Sequence, residues 1–220
     1  MRRRTLMTTA LLLVAGLARA QGAGRDAELI RAADAGDAAA VKRLLGQGAD
    51  VRARDAQGRT ALVAATYGNR VEAARLLIAA GADVNTQDDI RNSAFLLAGA
   101  RGYLEIVRMT LAAGADLKST NRFGGTALIP ACHYGHVETV RELLKTKIDV
   151  DHVNNLGWTA LLEAVILGDG GPAHTEIVRL LLAAGAKPGI ADRQGVTPLE
   201  HARQRNYRAI ADMLARAGGR

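Results

Sequence analysis

The sequence predicts an all-α fold, a solenoid of about six helix-turn-helix units of 33 residues joined by short finger hairpins. Two series of residues carry that expectation. Thr60-Ala61-Leu62, Ser93-Ala94-Phe95, Thr126-Ala127-Leu128 and Thr159-Ala160-Leu161 each start 33 residues after the one before, and Gly48-Ala49-Asp50-Val51, Gly81-Ala82-Asp83-Val84 and Gly114-Ala115-Asp116-Leu117 recur at the same interval. A unit of that length cannot bury a core by itself, so neighbouring units must stack to make one.

First helices are expected to start near Ala27, Thr60, Ser93, Thr126, Thr159 and Thr197. Thr or Ser at the start can accept a hydrogen bond from an unpaired N–H of the first turn, and Pro198 stands where a missing donor costs nothing. Gly102, Gly135 and Gly168 fall where the first helix must end in a left-handed turn, with Asn69 in the equivalent place of the second unit. Glu72, Glu105, Glu138 and Glu176 are placed in the first turn of each second helix, each with an arginine three residues on: Arg75, Arg108, Arg141 and Arg179. Leu76, Leu77, Leu143, Leu144, Leu180 and Leu181 are expected in the core. The last interval is 38 residues because residues 169–173 are inserted between the helices of the fifth unit, and this insertion is expected to be a loop. Asp26, Glu28 and Arg31 at one end, and Arg205, Arg208, Asp212 and Arg216 at the other, make polar caps for the array over 27–220.

The run Asn121, Gly124, Thr126, Leu128, Ala131, Gly135, His136, Glu138, Val140, Leu143 and Leu144 resembles the ankyrin repeat family. Two departures matter. The family's Thr-Pro-Leu-His keeps its proline only at Pro198, and its histidine is replaced by Val63, Leu96, Ile129, Leu162 and Glu200, so apolar packing must replace the Thr-to-His hydrogen bond. Arg91 stands where the finger turn usually has glycine, which predicts a distorted or more mobile hairpin there. The resemblance implies a structural role for His136, matched at His174.

Residues 1–20 open with three arginines, Arg2 to Arg4, followed by a 12-residue apolar run from Leu6 to Leu17 and by Ala18 before Ala20, the order of a secretory signal peptide. Cleavage is expected after Ala20, followed by a short linker over 21–26, with the periplasm as destination and secretion as an alternative. The Sec route is the expected one, Arg3-Arg4 being a partial twin-arginine match. The apolar run is too short to span a bilayer, so no stable membrane insertion is expected after cleavage. Subtracting the leader's four arginines from the 29 basic residues leaves 25 against 22 acidic, a net +3, which does not favour nucleic acid as a partner.

Cys132 is the only cysteine, so no intrachain disulfide forms. Small residues fill its place in other units, which makes it a packing residue, with a redox role as the alternative. Cys132, His133 and His136 indicate no fourth metal ligand. No nucleophile, base and orienting group converge, and Gly168-Asp169-Gly170-Gly171 follows no strand, so neither a catalytic residue nor a cofactor is expected.

The resemblance implies partner binding along a concave face built from finger tips and first helices. Of seven aromatic residues, Tyr67, Phe123, Tyr134 and Trp158 fall in slots that add nothing to the repeat core, where roughly one would be expected by chance. Ile90, Leu156, Ile166 and Leu167 add aliphatic anchors, with Arg59, Asn92, Arg101, Arg122 and His133 as the polar rim. The competing reading tucks these side chains inward against the neighbouring finger. The expected function is a non-catalytic exported scaffold, a monomer, that binds a periplasmic protein partner. The alternatives are an inhibitor or immunity protein of a secreted enzyme, or an oxidative-stress accessory protein using Cys132.

Overall fold

The computed structural model describes residues 22–219, so the expected signal peptide and its cleavage point lie outside the described residues. These fall into two compact units, one ending at Asp83 and the other beginning at Val84. The first holds α1 (22–35), α2 (Ala38–Gly46), α3 (Ala61–Tyr67) and α4 (Val71–Ala79). The second holds α5 (Ala94–Arg101), α6 (Leu104–Ala112), α7 (Leu128–His133), α8 (Val137–Leu143), α9 (Ala160–Ile166), α10 (Pro172–Ala183), α11 (Pro198–Gln204) and α12 (Arg208–Arg216). No strand occurs among the described residues. The chain is already helical from residue 22, which overturns the expected linker over most of 21–26.

In the second unit, first helices form one layer, α5 on α7, α7 on α9 and α9 on α11, and second helices form another, α6 on α8, α8 on α10 and α10 on α12. Phe95, Ile106, Leu128, Leu143, Leu161, Ile177 and Leu181 are fully buried between them, each worth about 1.5–3 kcal/mol. Leu77, Leu143 and Leu181 are core as expected, whereas Leu76, Leu144 and Leu180 are half-buried. Helices of six to eight residues are unstable alone, so they depend on this packing and on their caps.

Four caps form as expected. Thr60, Ser93, Thr159 and Thr197 accept from the amide three residues on at 3.2–3.3 Å. Thr126 does not. Elsewhere the first helical bond runs to the carbonyl of the capping residue, as from Leu97 to Ser93 and from Glu163 to Thr159. Pro130 occupies that donor's place and has no N–H to give. Helix α7 therefore starts only at Leu128, and the buried Thr126 hydroxyl has no partner.

Asn69, Gly102 and Gly135 take left-handed φ of 52°, 71° and 74°, but Gly168 does not. The insertion passes that role to Gly170, at 69°. Gly168 is instead a point of close approach, where a Cβ would fall 2.1 Å from the Ala164 carbonyl oxygen. Only part of the insertion is loop, because Pro172 and Ala173 already belong to α10. Glu176 accordingly sits in the second turn rather than the first.

Residues at the start of several second helices reach back to the preceding repeat, from just ahead of the helix at Arg70 and Tyr207 and from the first turn of α10 at His174. Arg70 donates to the Asp34 carbonyl at 3.1 Å, His174 to that of His133 at 2.9 Å, and the Tyr207 hydroxyl to that of Gly168 at 2.9 Å. His136 bonds the Ala100 backbone and covers Gly102. Both histidines thus hold repeats together, as the resemblance implied.

Candidate protein-docking face

Five finger loops share one construction, starting at Asp55, Asp88, Asn121, Asn154 and Asp192. In each, the side-chain Oδ1 accepts from the amides two and four residues on, at 2.8–3.1 Å. Its own backbone amide donates to the carbonyl four residues on. The side chain takes the place of a strand ladder, so the loop needs none. The fourth residue is left-handed in every case, and Arg91 (φ 63°) matches Gly58 (70°) and Gly124 (71°). The distortion expected at Arg91 is therefore absent: the loop imposes its conformation on a non-glycine residue, at a cost of about 1–2 kcal/mol. Adjacent fingers of the second unit are tied together, Asn155 donating to the Phe123 carbonyl at 2.9 Å and His152 to that of Gly124 at 2.7 Å.

The third residue of each loop forms the tip. Ile90, Phe123 and Leu156 occupy it in three consecutive repeats and are 45%, 52% and 48% exposed. Tyr134, at the end of α7, is 59% exposed, and Leu167, after α9, is 42% exposed. Arg101 and Arg122 are exposed as well, the Arg122 guanidinium lying 4.8 Å from the Phe123 ring. Asn92, His133 and Trp158 are half-buried. Ile166 is 9% exposed and belongs to the buried side of α9, which removes it from the expected face. Arg59 and Tyr67 lie in the first unit and are half-buried; Arg59 pairs with Asp55 at 2.7 Å and stands 5.8 Å from the Tyr67 ring. The first unit also carries an open cavity of about 310 Å³ where Asp26, Arg31, Asp34, Arg54, Asp55 and Arg59 meet.

Two residues of the second unit escaped sequence reasoning. Val153 is 47% exposed beside the fourth finger. Glu163, on α9, is 6% exposed and was masked by its place in a helix otherwise entirely apolar. Asn154 Nδ2 donates to Glu163 Oε1 at 2.9 Å, and Glu163 Oε2 lies 3.6 Å from His133 Nδ1. The His133 ring stacks on Tyr134, with centroids 4.1 Å apart and planes 13° from parallel. Glu163 and Asn154 thereby gather His133, Tyr134, Leu156 and Trp158 into one cluster. Burial pushes the Glu163 carboxyl up to about 7 against the opposing Asn154 bond, and it lowers His133, with His174 adding to the effect.

Cys132 is fully buried in α7, and burial, then Glu163, pushes its thiol well up. Such a thiol packs rather than reacts, which favours the structural reading over the redox one. Among the described residues, no three His, Cys, Asp or Glu side chains are grouped to hold a metal, and no helix is long and apolar enough to cross a membrane.

The family model of ankyrin repeats in three copies matches residues 10–88, 29–121 and 95–192. An ankyrin repeat domain from Acinetobacter baumannii AYE, solved by crystallography, is 57% identical over 88% of this chain and 98% of its own, with a TM-score of 0.85. The crystal structure of EF0377, an ankyrin repeat protein, matches at 40% identity over 85% of this chain and 96% of its own, with a TM-score of 0.82. The putative ankyrin repeat protein YahD of Escherichia coli K12 is 50% identical over 56 residues, which span 26% of this chain and 28% of that protein.

Proposed function

The chain belongs to the ankyrin repeat family, and from that premise we propose that it is a non-catalytic exported adaptor that docks a protein partner in the periplasm through the finger side of residues 84–220. Ankyrin repeats are in general protein-interaction modules, and solenoids of this kind bind along the extended surface that stacking creates. The observation that carries the reading is the row of Ile90, Phe123 and Leu156 at the tips of three consecutive fingers. Side chains of this size are left in water at a regular interval that the repeat core does not ask for. Aromatic and aliphatic anchors within a polar rim have the composition of a binding hot spot. Export is supported by the arginine, apolar and Ala-x-Ala order of residues 1–20.

The test is affinity capture from a periplasmic extract of the source cells, with mass spectrometry also reading the mature N-terminus, expected at Gln21. Phe123→Ala combined with Tyr134→Ala should leave the helical spectrum and melting temperature unchanged and weaken retention of the captured protein about thirtyfold or more. Undiminished retention would sink the assignment of the face, and an N-terminus at Met1 would sink export.

A further inference from the structure

Glu163 is required neither by the fold nor by the apolar finger tips. It occupies the position of α9 that Ala64, Leu97, Pro130 and His201 fill in other first helices, so the repeat does not call for a carboxyl there. Its side chain is only 8% exposed. An ionised carboxylate survives such burial only beside a cation or several donors. One oxygen has the neutral Asn154 amide; the other accepts no hydrogen bond among the described residues, and His133 Nδ1 stands 3.6 Å from it, beyond hydrogen-bonding reach.

The elements packed on α9 do not supply the missing cation. On α7 the titratable neighbours are Cys132, kept protonated, and His133, held toward its neutral form. On α10, His174 is engaged by Asp169 at 2.8 Å and by the His133 carbonyl, while Glu176 and Arg179 pair with each other at 2.7 Å. On α11, His201 is taken by Asp192 at 2.7 Å, Glu200 closes the cap at Thr197, and Arg203 is exposed to solvent. The Tyr134 ring, one ring away from the carboxyl across the His133 stack, presents a π-surface of the kind that attracts cations.

We propose that Glu163 is the receptor for a lysine or arginine side chain of the docked protein, which enters beside the exposed ring of Tyr134 and completes the ion pair this chain leaves open. The proposal deepens the docking-face reading and rests on it. Arg101 and Arg122, both exposed, oppose a broadly basic partner. The feature recognised is therefore one basic side chain set among neutral and apolar ones.

The experiment pans a random dodecapeptide library, displayed on phage, against the full chain, its E163Q variant and the Phe123→Ser/Tyr134→Ser variant. Peptides taken by the wild type should share one Lys or Arg flanked by apolar residues. Replacing that base by Ala should weaken binding to the wild type about tenfold or more, the scale of a close charge pair across an interface, and leave binding to E163Q nearly unchanged. Affinity for the basic peptide should rise from pH 6 to pH 8, because Glu163 ionises over that range while His133 is already held toward its neutral form, and should be flatter with E163Q. Peptides without a shared base, or whose base can be replaced without loss, overturn the cation assignment while the face itself stands. Capture that is unaffected by Phe123→Ser/Tyr134→Ser, or no capture at all, overturns the face and the cation site together. The peptide substitutions and the pH profile use the unaltered chain, so they test the cation site however E163Q folds.

Discussion

The outer helices and the finger side of residues 84–220 treat charge in opposite ways. On α6, α8 and α10, charge faces water and is paired: Arg108 bridges Glu105 at 3.0 Å and Glu142 at 3.3 Å, and Arg141 bridges Glu138 at 3.5 Å and Glu176 at 3.0 Å. Arg179 first, then Arg141, hold the Glu176 carboxyl down to about 2. On the finger side, large apolar side chains face water and a carboxyl is buried. The outer side follows every rule for a stable stack, whereas the finger side breaks two of them within a few residues. Local rules tend to be broken where function has a claim on the residue.

The sharpest way to break this contrast is Asn154→Ala. It removes the oxygen that closes the fourth finger and the amide that satisfies Glu163, and should cost about 2–4 kcal/mol. Urea unfolding followed by the single tryptophan, Trp158, reads it directly. A loss below about 1 kcal/mol would mean that the finger closes without its side chain.

E163Q acts next, in the opposite direction. The folded chain holds a proton on Glu163 up to about pH 7, whereas the unfolded chain releases it near the ordinary value of 4.5. The wild type therefore loses stability from this group as pH rises between those values, and E163Q does not. The variant should be about 1–3 kcal/mol more stable at pH 8, with the gain shrinking toward pH 5. Parallel stability profiles for the two proteins would contradict the burial account. A stabilising substitution that removes the cation receptor would also make the buried carboxyl a cost retained for binding.

The smallest effect belongs to the outer side. Glu105→Gln leaves an exposed pair unmade and should shift stability by no more than about 0.5 kcal/mol, and by less in salt. A larger, salt-insensitive loss would show that the outer pairs act as more than a solvated surface.

Much of this was legible because the repeat says what each position is for. The four capping residues, the Glu–Arg spacing and the burial of Cys132 are set by local geometry and by comparison among repeats. Thr126 misled because the disruption comes from Pro130, four residues downstream, which removes a donor rather than adding a feature. Gly168 misled because an inserted residue can take over a backbone conformation, as Gly170 does. Ile166 departs from its expected exposure because it ends an apolar helix whose packing turns it inward. Glu163 was missed because its environment is set by Asn154 and His133, nine residues upstream and one repeat away, and no periodicity encodes that meeting.

The finger loops carry one more consequence. Because the same Asp or Asn oxygen holds both amides regardless of the side chain between them, Gln57, Ile90, Phe123, Leu156 and Gln194 occupy equivalent, mechanically idle sites. Selection can rewrite this row one letter at a time without renegotiating the architecture beneath it. A lineage of such chains can therefore change allegiance between partners by drift at the tips while its thermal tolerance stays where it was.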